Sequence, residues 1–145
     1  MLCALTPVFL QSSSAQNNAS APTSVENRRQ QLLSLFDEQW QYTLRTHPEW
    51  ATMLGDTRYN DRLSDESAEF FQSELEQERK FLTRFKAIDP AGFSRQDTLS
   101  RELMIRQLRQ EIEGAQFKPW EMPVNQMNGM HLELPDMVAL TPFNT

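Results

Sequence analysis

The stretch SAEFFQSELEQERKFLTRFKAI, residues 67–88, contains a clear helical pattern of apolar residues. Its large apolar residues recur every three or four positions along one stripe, which consists of Phe71, Leu75, Leu82 and Phe85, broadened by Phe70, Phe81 and Ile88. That spacing is the period of an amphipathic α-helix with one buried side. The stretch therefore predicts a long helix from Ser67 to Ile88, and Pro90 and Gly92 follow as stop signals.

A second long helix is predicted from Arg95 to about Glu113. Ser94 stands where a helix N-cap is expected, and Asp97 follows at capping-box spacing. Gly114 is the expected terminator, because glycine readily adopts the left-handed conformation that closes a helix. The apolar stripe of this helix consists of Leu99, Leu103, Met104, Ile105, Leu108 and Ile112. Two long helices joined by a short loop predict an antiparallel hairpin.

Before the hairpin, a first helix is predicted from Ser24 to Thr46, ended by Pro48, with a stripe formed by Leu32, Leu33, Phe36, Trp40, Thr43, Leu44 and His47. Pro48 suits the first position of a further, short helix, and Gly55 suits its left-handed cap. We expect Trp50, Met53 and Leu54 to form the buried side of that short helix. The fold class is therefore all-α: an antiparallel hairpin or bundle in which a short helix follows the first long one.

The charge pattern argues against nucleic acid as a partner. The chain has 145 residues and a formal net charge of −6, and its basic residues are scattered among acidic ones. A nucleic-acid surface needs a basic stripe to neutralise phosphates. The roughly 120 residues after the amino-terminal linker are enough for one small domain with its own core.

The amino terminus indicates export. Residues 2–10 are a short apolar run, too short to span a bilayer, and Ser13 and Ala15 fit a signal-peptidase site. We expect residues 1–15 to be a signal peptide, although no basic residue precedes the apolar run, which leaves an upstream start codon open. Residues 16–23 would be a polar linker, and Cys3, the only thiol, would leave with the signal peptide. The expected location is the periplasm, the cell envelope or the medium, with no transmembrane helix.

Residues 117–145 form an apolar segment that is broken by four prolines. Prolines prevent a long helix, and a solvated tail would contain more charge. We therefore expect an extended or irregular segment that packs against protein mass outside these residues. A period of two over residues 130–134 also fits one short edge strand.

The histidines, His47 and His131, do not form a metal-binding motif. No H-E-x-x-H pattern occurs, and neither histidine has a second one within a helical turn. His47 is expected to be a helix-end residue beside Pro48. The glutamates of the two long helices are expected to form a solvated face: Glu74, Glu76, Glu78, Glu102, Glu111 and Glu113.

An acidic turn over residues 56–65 lacks the ligand spacing of a calcium-binding EF-hand loop, because Arg58 and Leu63 stand where oxygen ligands would be needed. Arg58 and Arg62 are instead expected to pair with the acidic residues of the turn.

Residues 47–65 resemble the opening of a bacterial family labelled domain of unknown function 885. Further similar pieces are Phe36 and Trp40, residues 87–90, and residues 123–131. The resemblance covers essentially everything after the linker. Within residues 47–65 it rests on the spacing of Pro48, Ala51, Thr52, Gly55, Tyr59, Leu63 and Asp65.

Members of that family look like zinc metallopeptidases that are mostly helical and about four times as long. The resemblance implies that this chain is the helical N-terminal portion of a larger fold. That portion would form one wall of the cleft of the complete enzyme. None of the family's zinc motif is present, so no catalytic or metal residue is assigned, and zinc is expected only in the full-length protein. The implied partners are a C-terminal catalytic half and a peptide substrate. The candidate cleft contacts are Asn125, Gln126 and His131, polar groups in an apolar segment.

Two other readings stay open. The chain could be a self-sufficient helical module that binds a partner through residues 117–145, since an exposed apolar patch marks an interaction site. It could also be a helical oligomer that buries the same patch between copies.

Overall fold

Helices account for every regular element in the part of the chain that the computed structural model describes, namely residues 24–122, 124, 129, 131–132 and 135. The prediction of an all-α fold is confirmed. Three short 3₁₀ helices lie at Thr57–Tyr59, Ala115–Phe117 and Pro119–Glu121. The four α-helices are α1 (Ser24–Thr46), α2 (Pro48–Met53), α3 (Ala68–Ala87) and α4 (Arg95–Gly114).

Serine caps begin both helices of the predicted hairpin. The Ser67 hydroxyl accepts a hydrogen bond from the Phe70 backbone N–H at 3.2 Å. The Ser94 hydroxyl accepts one from the Asp97 N–H at 3.0 Å. Each cap satisfies a donor that the first turn of a helix leaves unpaired, which fixes the starts of α3 and α4.

Helix α1 runs antiparallel to α3 along its length. At the start of α1, the Arg28 guanidinium donates to the backbone oxygen of Asp89, just beyond the end of α3, at 3.1 Å. At the end of α1, the His47 ring approaches Glu74 near the start of α3. The first helix therefore lies alongside the hairpin.

Helices α3 and α4 form the antiparallel hairpin. The Arg101 guanidinium, in the second turn of α4, donates to the backbone oxygens of Phe85 and Lys86 at 3.0 Å each. These oxygens belong to the last turn of α3, where helical carbonyls lack intrahelical partners. The α4 side chain thus caps the helix that precedes it.

The core lies between the three long helices, and each helix supplies two of its buried residues. Phe85 is fully buried, and its ring lies 5.1 Å from that of Phe36. Burial of such side chains is the main favourable term in folding. The buried cluster consists of Leu32, Leu35, Phe81, Phe85, Ile105 and Leu108.

The predicted buried stripe of α1 is wrong at two positions. Leu33 and Trp40 are exposed, whereas Leu35, which was not assigned to the stripe, is buried. Leu32, Leu35 and Phe36 have helical spacing, so the buried face turns away from Leu33 to meet α3.

The predicted buried side of α2 is also wrong. Trp50, Met53 and Leu54 are exposed, and the buried residues are Pro48 and Ala51. The short helix approaches its neighbours through its smaller side chains, which leaves the larger ones outside.

Gly114 is not the predicted left-handed terminator. Its φ is −63°, so it lies in helical backbone, and the chain continues through Ala115–Phe117 to Lys118. Lys118 has a φ of 47° and is the left-handed residue at this end. Gly55, by contrast, has a φ of 84°, as predicted for the cap of α2.

Several predictions fall at the two ends of the sequence. The proposed signal peptide, residues 1–15, and the linker, residues 16–23, lie outside the described residues. His131 and Leu132 have helical backbone, so the edge-strand alternative is wrong for these two residues. Among the helices of the described part, none combines the length and the apolar character that a membrane span requires.

Candidate functional site

The predicted cleft contacts remain largely untested by the structure. Asn125 and Gln126 lie outside the described residues. His131 is exposed and helical, and the neighbouring Leu132 N–H donates to the Gly129 backbone oxygen at 2.9 Å. A cleft role for these residues therefore stays a prediction.

Residues 47–65 form an elbow that connects α1, α2 and the start of α3. The Thr52 hydroxyl donates to the Pro48 backbone oxygen at 3.0 Å. Glu49 accepts from both the backbone N–H and the hydroxyl of Ser64, which ties α2 to the turn before α3. Asp65 accepts from the Ser67 N–H at 2.9 Å. The elbow residues thus have structural partners.

The acidic turn inside the elbow is held by arginine, as predicted. Arg58 donates to both carboxylate oxygens of Asp56 and to the side-chain oxygen of Gln41, which lies on α1. Arg62 lies 3.7 Å from Asp61. The Arg58 contacts fasten the turn to the first helix.

The most distinctive group of ionisable side chains in the described residues lies where the end of α1 meets α3. The Nε2 atom of His47 is 3.7 Å from a carboxylate oxygen of Glu74, whose side chain is only 16 % exposed. The Nδ1 atom of His47 lies 3.0 Å from the Thr46 hydroxyl, which orients the ring. The pair becomes an ion pair when the imidazole is protonated. We call His47, Glu74, Glu78 and Glu111 the carboxylate junction.

Two carboxylates of this junction, Glu74 and Glu78, have raised pKa values. Burial raises the pKa of Glu78 to about 7, and the nearby charges of Glu111 and Glu74 add to the rise. Burial also raises the pKa of Glu74, which His47 partly offsets. Desolvation and neighbouring like charges both disfavour the ionised form. The junction can therefore hold a proton near neutral pH.

Tyr42 covers the junction from α1. Its ring packs edge-on against that of Phe81 at 5.8 Å, and the Arg45 guanidinium lies 5.6 Å from its centre. Burial raises the pKa of the Tyr42 hydroxyl, and Glu74 and Glu78 raise it further. The hydroxyl therefore stays neutral beside the carboxylates.

Sequence reasoning missed this junction by assigning Glu74 and Glu78 to a solvated face. Both side chains are partly buried. Counting from Phe71, these glutamates lie three and seven residues on, and Phe81 lies ten residues on, so all four share one face of α3. The sequence signal that could have indicated the junction is the position of Glu74 and Glu78 on the same helix face as Phe71 and Phe81.

The junction does not fit a bound metal. In the described part of the chain, no group of three or more histidine, cysteine, aspartate or glutamate side chains could hold a metal ion. A zinc site needs three or four such ligands around one point. The described residues therefore offer no ligand set for the zinc that the family resemblance implies for the full-length protein.

Comparison with known proteins places the chain in a family. The model of the bacterial proteins of unknown function (DUF885) matches residues 48–145, more than half of the chain. The match begins at the first residue of α2 and includes α3, α4 and the apolar segment. No curated protein and no solved structure matches the chain. The chain therefore belongs to the bacterial DUF885 family.

Proposed function

We propose that this chain is the helical N-terminal portion of an exported, zinc-dependent, peptidase-like hydrolase, and that it carries no catalytic motif of its own. The family match over residues 48–145 is the observation that carries the proposal. The zinc peptidase chemistry is what the family resemblance implies. Zinc ligands and catalytic groups would come from a C-terminal half of the same protein.

The exposed apolar side chains near the end of the described chain support a further packing partner. Phe117 is 79 % exposed and Met122 is 75 % exposed. Large apolar residues that are exposed near one another mark an interaction surface. In this proposal the surface belongs to the contact between the helical portion and the catalytic half. Asn125, Gln126 and His131 would contact the peptide substrate in the cleft between the two.

Export is part of the same proposal. Residues 1–15 would direct the chain through the inner membrane, and the mature protein would act in the periplasm or at the cell envelope. The apolar run followed by small residues supports this step.

A second candidate function is a stand-alone helical module that binds a protein partner through residues 117–145. The exposure of Phe117, Met122 and Val124 favours it as well. In that case the apolar segment would be the binding site itself.

The purified chain is expected to hydrolyse no peptide and to bind no stoichiometric zinc, because the described residues hold no metal-ligand group. The measurement combines a fluorogenic peptide assay with zinc analysis after dialysis, and a known zinc peptidase serves as the positive control. Turnover by the pure chain that a chelator abolishes would overturn the proposal that catalysis resides elsewhere.

A further inference from the structure

An open groove of about 680 Å³ runs between the first half of α1 and the last turns of α3. Its volume lies in the range of about 300–1,000 Å³ that is usual for ligand sites. Leu35 and Ile88 form an apolar floor. One wall, on α1, consists of uncharged polar side chains: Asn27, Gln30, Gln31 and Ser34.

The side chains of the polar wall have hydrogen-bond donors and acceptors that can bind a ligand. None of its four side chains makes a hydrogen bond to another residue in the described part of the chain. A side-chain amide offers the same donor and acceptor groups as a peptide unit. The wall can therefore pair with a partner that alternates N–H and C=O groups.

The spacing of the wall suits an extended polypeptide. Asn27 and Gln31 are four residues apart on α1, which places them about 6 Å apart along the helix axis. An extended strand repeats its outward-facing groups every second residue, about 6.6–6.8 Å. Asn27 and Gln31 can thus meet equivalent backbone groups of a strand that lies along the groove.

The charges of the groove argue against an anionic ligand. Arg84 is the charged residue of the lining, and its guanidinium donates through two nitrogens to the Glu38 carboxylate at 2.5 and 2.6 Å. In such a bidentate ion pair the guanidinium charge is already neutralised by the carboxylate, so it attracts a phosphate only weakly.

We propose that the groove between α1 and α3 binds an extended, uncharged stretch of polypeptide. The amide side chains of the wall hydrogen-bond to the peptide backbone, and the apolar floor receives its small apolar side chains. This binding needs no zinc and no catalytic half, so it stands or falls independently of the proposed peptidase function.

The test is a titration of the isotope-labelled 145-residue chain with a capped hexapeptide of alternating threonine and valine, followed by NMR. We expect shifts in the side-chain amide signals of Asn27, Gln30 and Gln31. Gln31→Ala is expected to weaken binding about five-fold, the size of one lost hydrogen bond of about 1 kcal/mol. Gln72→Ala, which removes an exposed glutamine elsewhere on α3, is the matched control and should leave affinity unchanged.

Four results would overturn the proposal. The first is the absence of shifts at millimolar peptide, and the second is equal weakening by Gln31→Ala and Gln72→Ala. The third is binding that appears only in a variant without residues 1–23, since the groove would then belong to the chain's own amino-terminal residues. The fourth is displacement of the peptide by inorganic phosphate at the same concentration, which would indicate an anion site at Arg84 instead.

Discussion

Phe85→Ala is expected to destabilise the helical bundle by about 3–5 kcal/mol, the usual cost of removing a fully buried aromatic ring from a core. Phe85 has no exposed surface, and its ring packs on Phe36. The substitution would leave a cavity between all three long helices. Small domains have only about 5–15 kcal/mol of total stability, so the variant should lose a large share of it and unfold at a much lower urea concentration than the wild type.

Urea unfolding followed by far-UV circular dichroism measures this loss. Phe117→Ala is the matched control, because it removes the same side chain from a position that is 79 % exposed. It is expected to shift the free energy of unfolding by less than about 0.5 kcal/mol. Equal midpoints for Phe85→Ala and the wild type would contradict the assignment of the core.

Glu78→Gln is expected to stabilise the chain by about 1 kcal/mol near pH 8 and to have little effect near pH 4. The pKa of Glu78 is about 7 in the fold, against an ordinary value of 4.5. The folded chain therefore binds this proton more tightly than the unfolded chain. The contribution of Glu78 to the free energy of unfolding is fully present below the unfolded-state pKa of about 4.5. It is lost as the pH rises from about 4.5 to about 7. The effect is kept to about 1 kcal/mol because solvent partly screens a half-buried group.

The measurement is the free energy of unfolding of both chains at several pH values. Glu76→Gln removes the same charge at an exposed position of the same helix, so it separates the effect of the carboxylate junction from that of net charge. A Glu78→Gln advantage that is constant from low to high pH, or matched by Glu76→Gln, would show that the junction does not hold the proton.

The helix boundaries were predictable from local sequence signals, namely proline and N-cap residues. Pro48 ends α1 and begins α2, and the serine caps at Ser67 and Ser94 mark the starts of α3 and α4. Each signal acts within one helical turn, so neighbouring helices do not alter it. The predicted span Ser24–Thr46 is the observed α1 for this reason.

The faces of the helices were harder to predict because they depend on tertiary packing. Leu33 and Trp50 are large and apolar, yet both are exposed. Helix α1 packs on α3 through other residues, such as Leu35, and α2 packs through Pro48 and Ala51. Glu74 and Glu78 were missed for the converse reason, because a charged residue was expected to face solvent. The face of α3 that carries them lies beside Tyr42 of α1, His47 and Glu111 of α4. Residues 117–145 show the limit of sequence reasoning about function. Their apolar character indicates a contact but not the partner.

Reading the genomic coding frame beyond the codon for Thr145 tests the proposed role as part of a larger enzyme most directly. We predict that the frame continues into a longer, mostly helical region that contains a histidine–glutamate zinc helix. A stop codon directly after Thr145 in intact genomic DNA would contradict that role and would favour the stand-alone binding module.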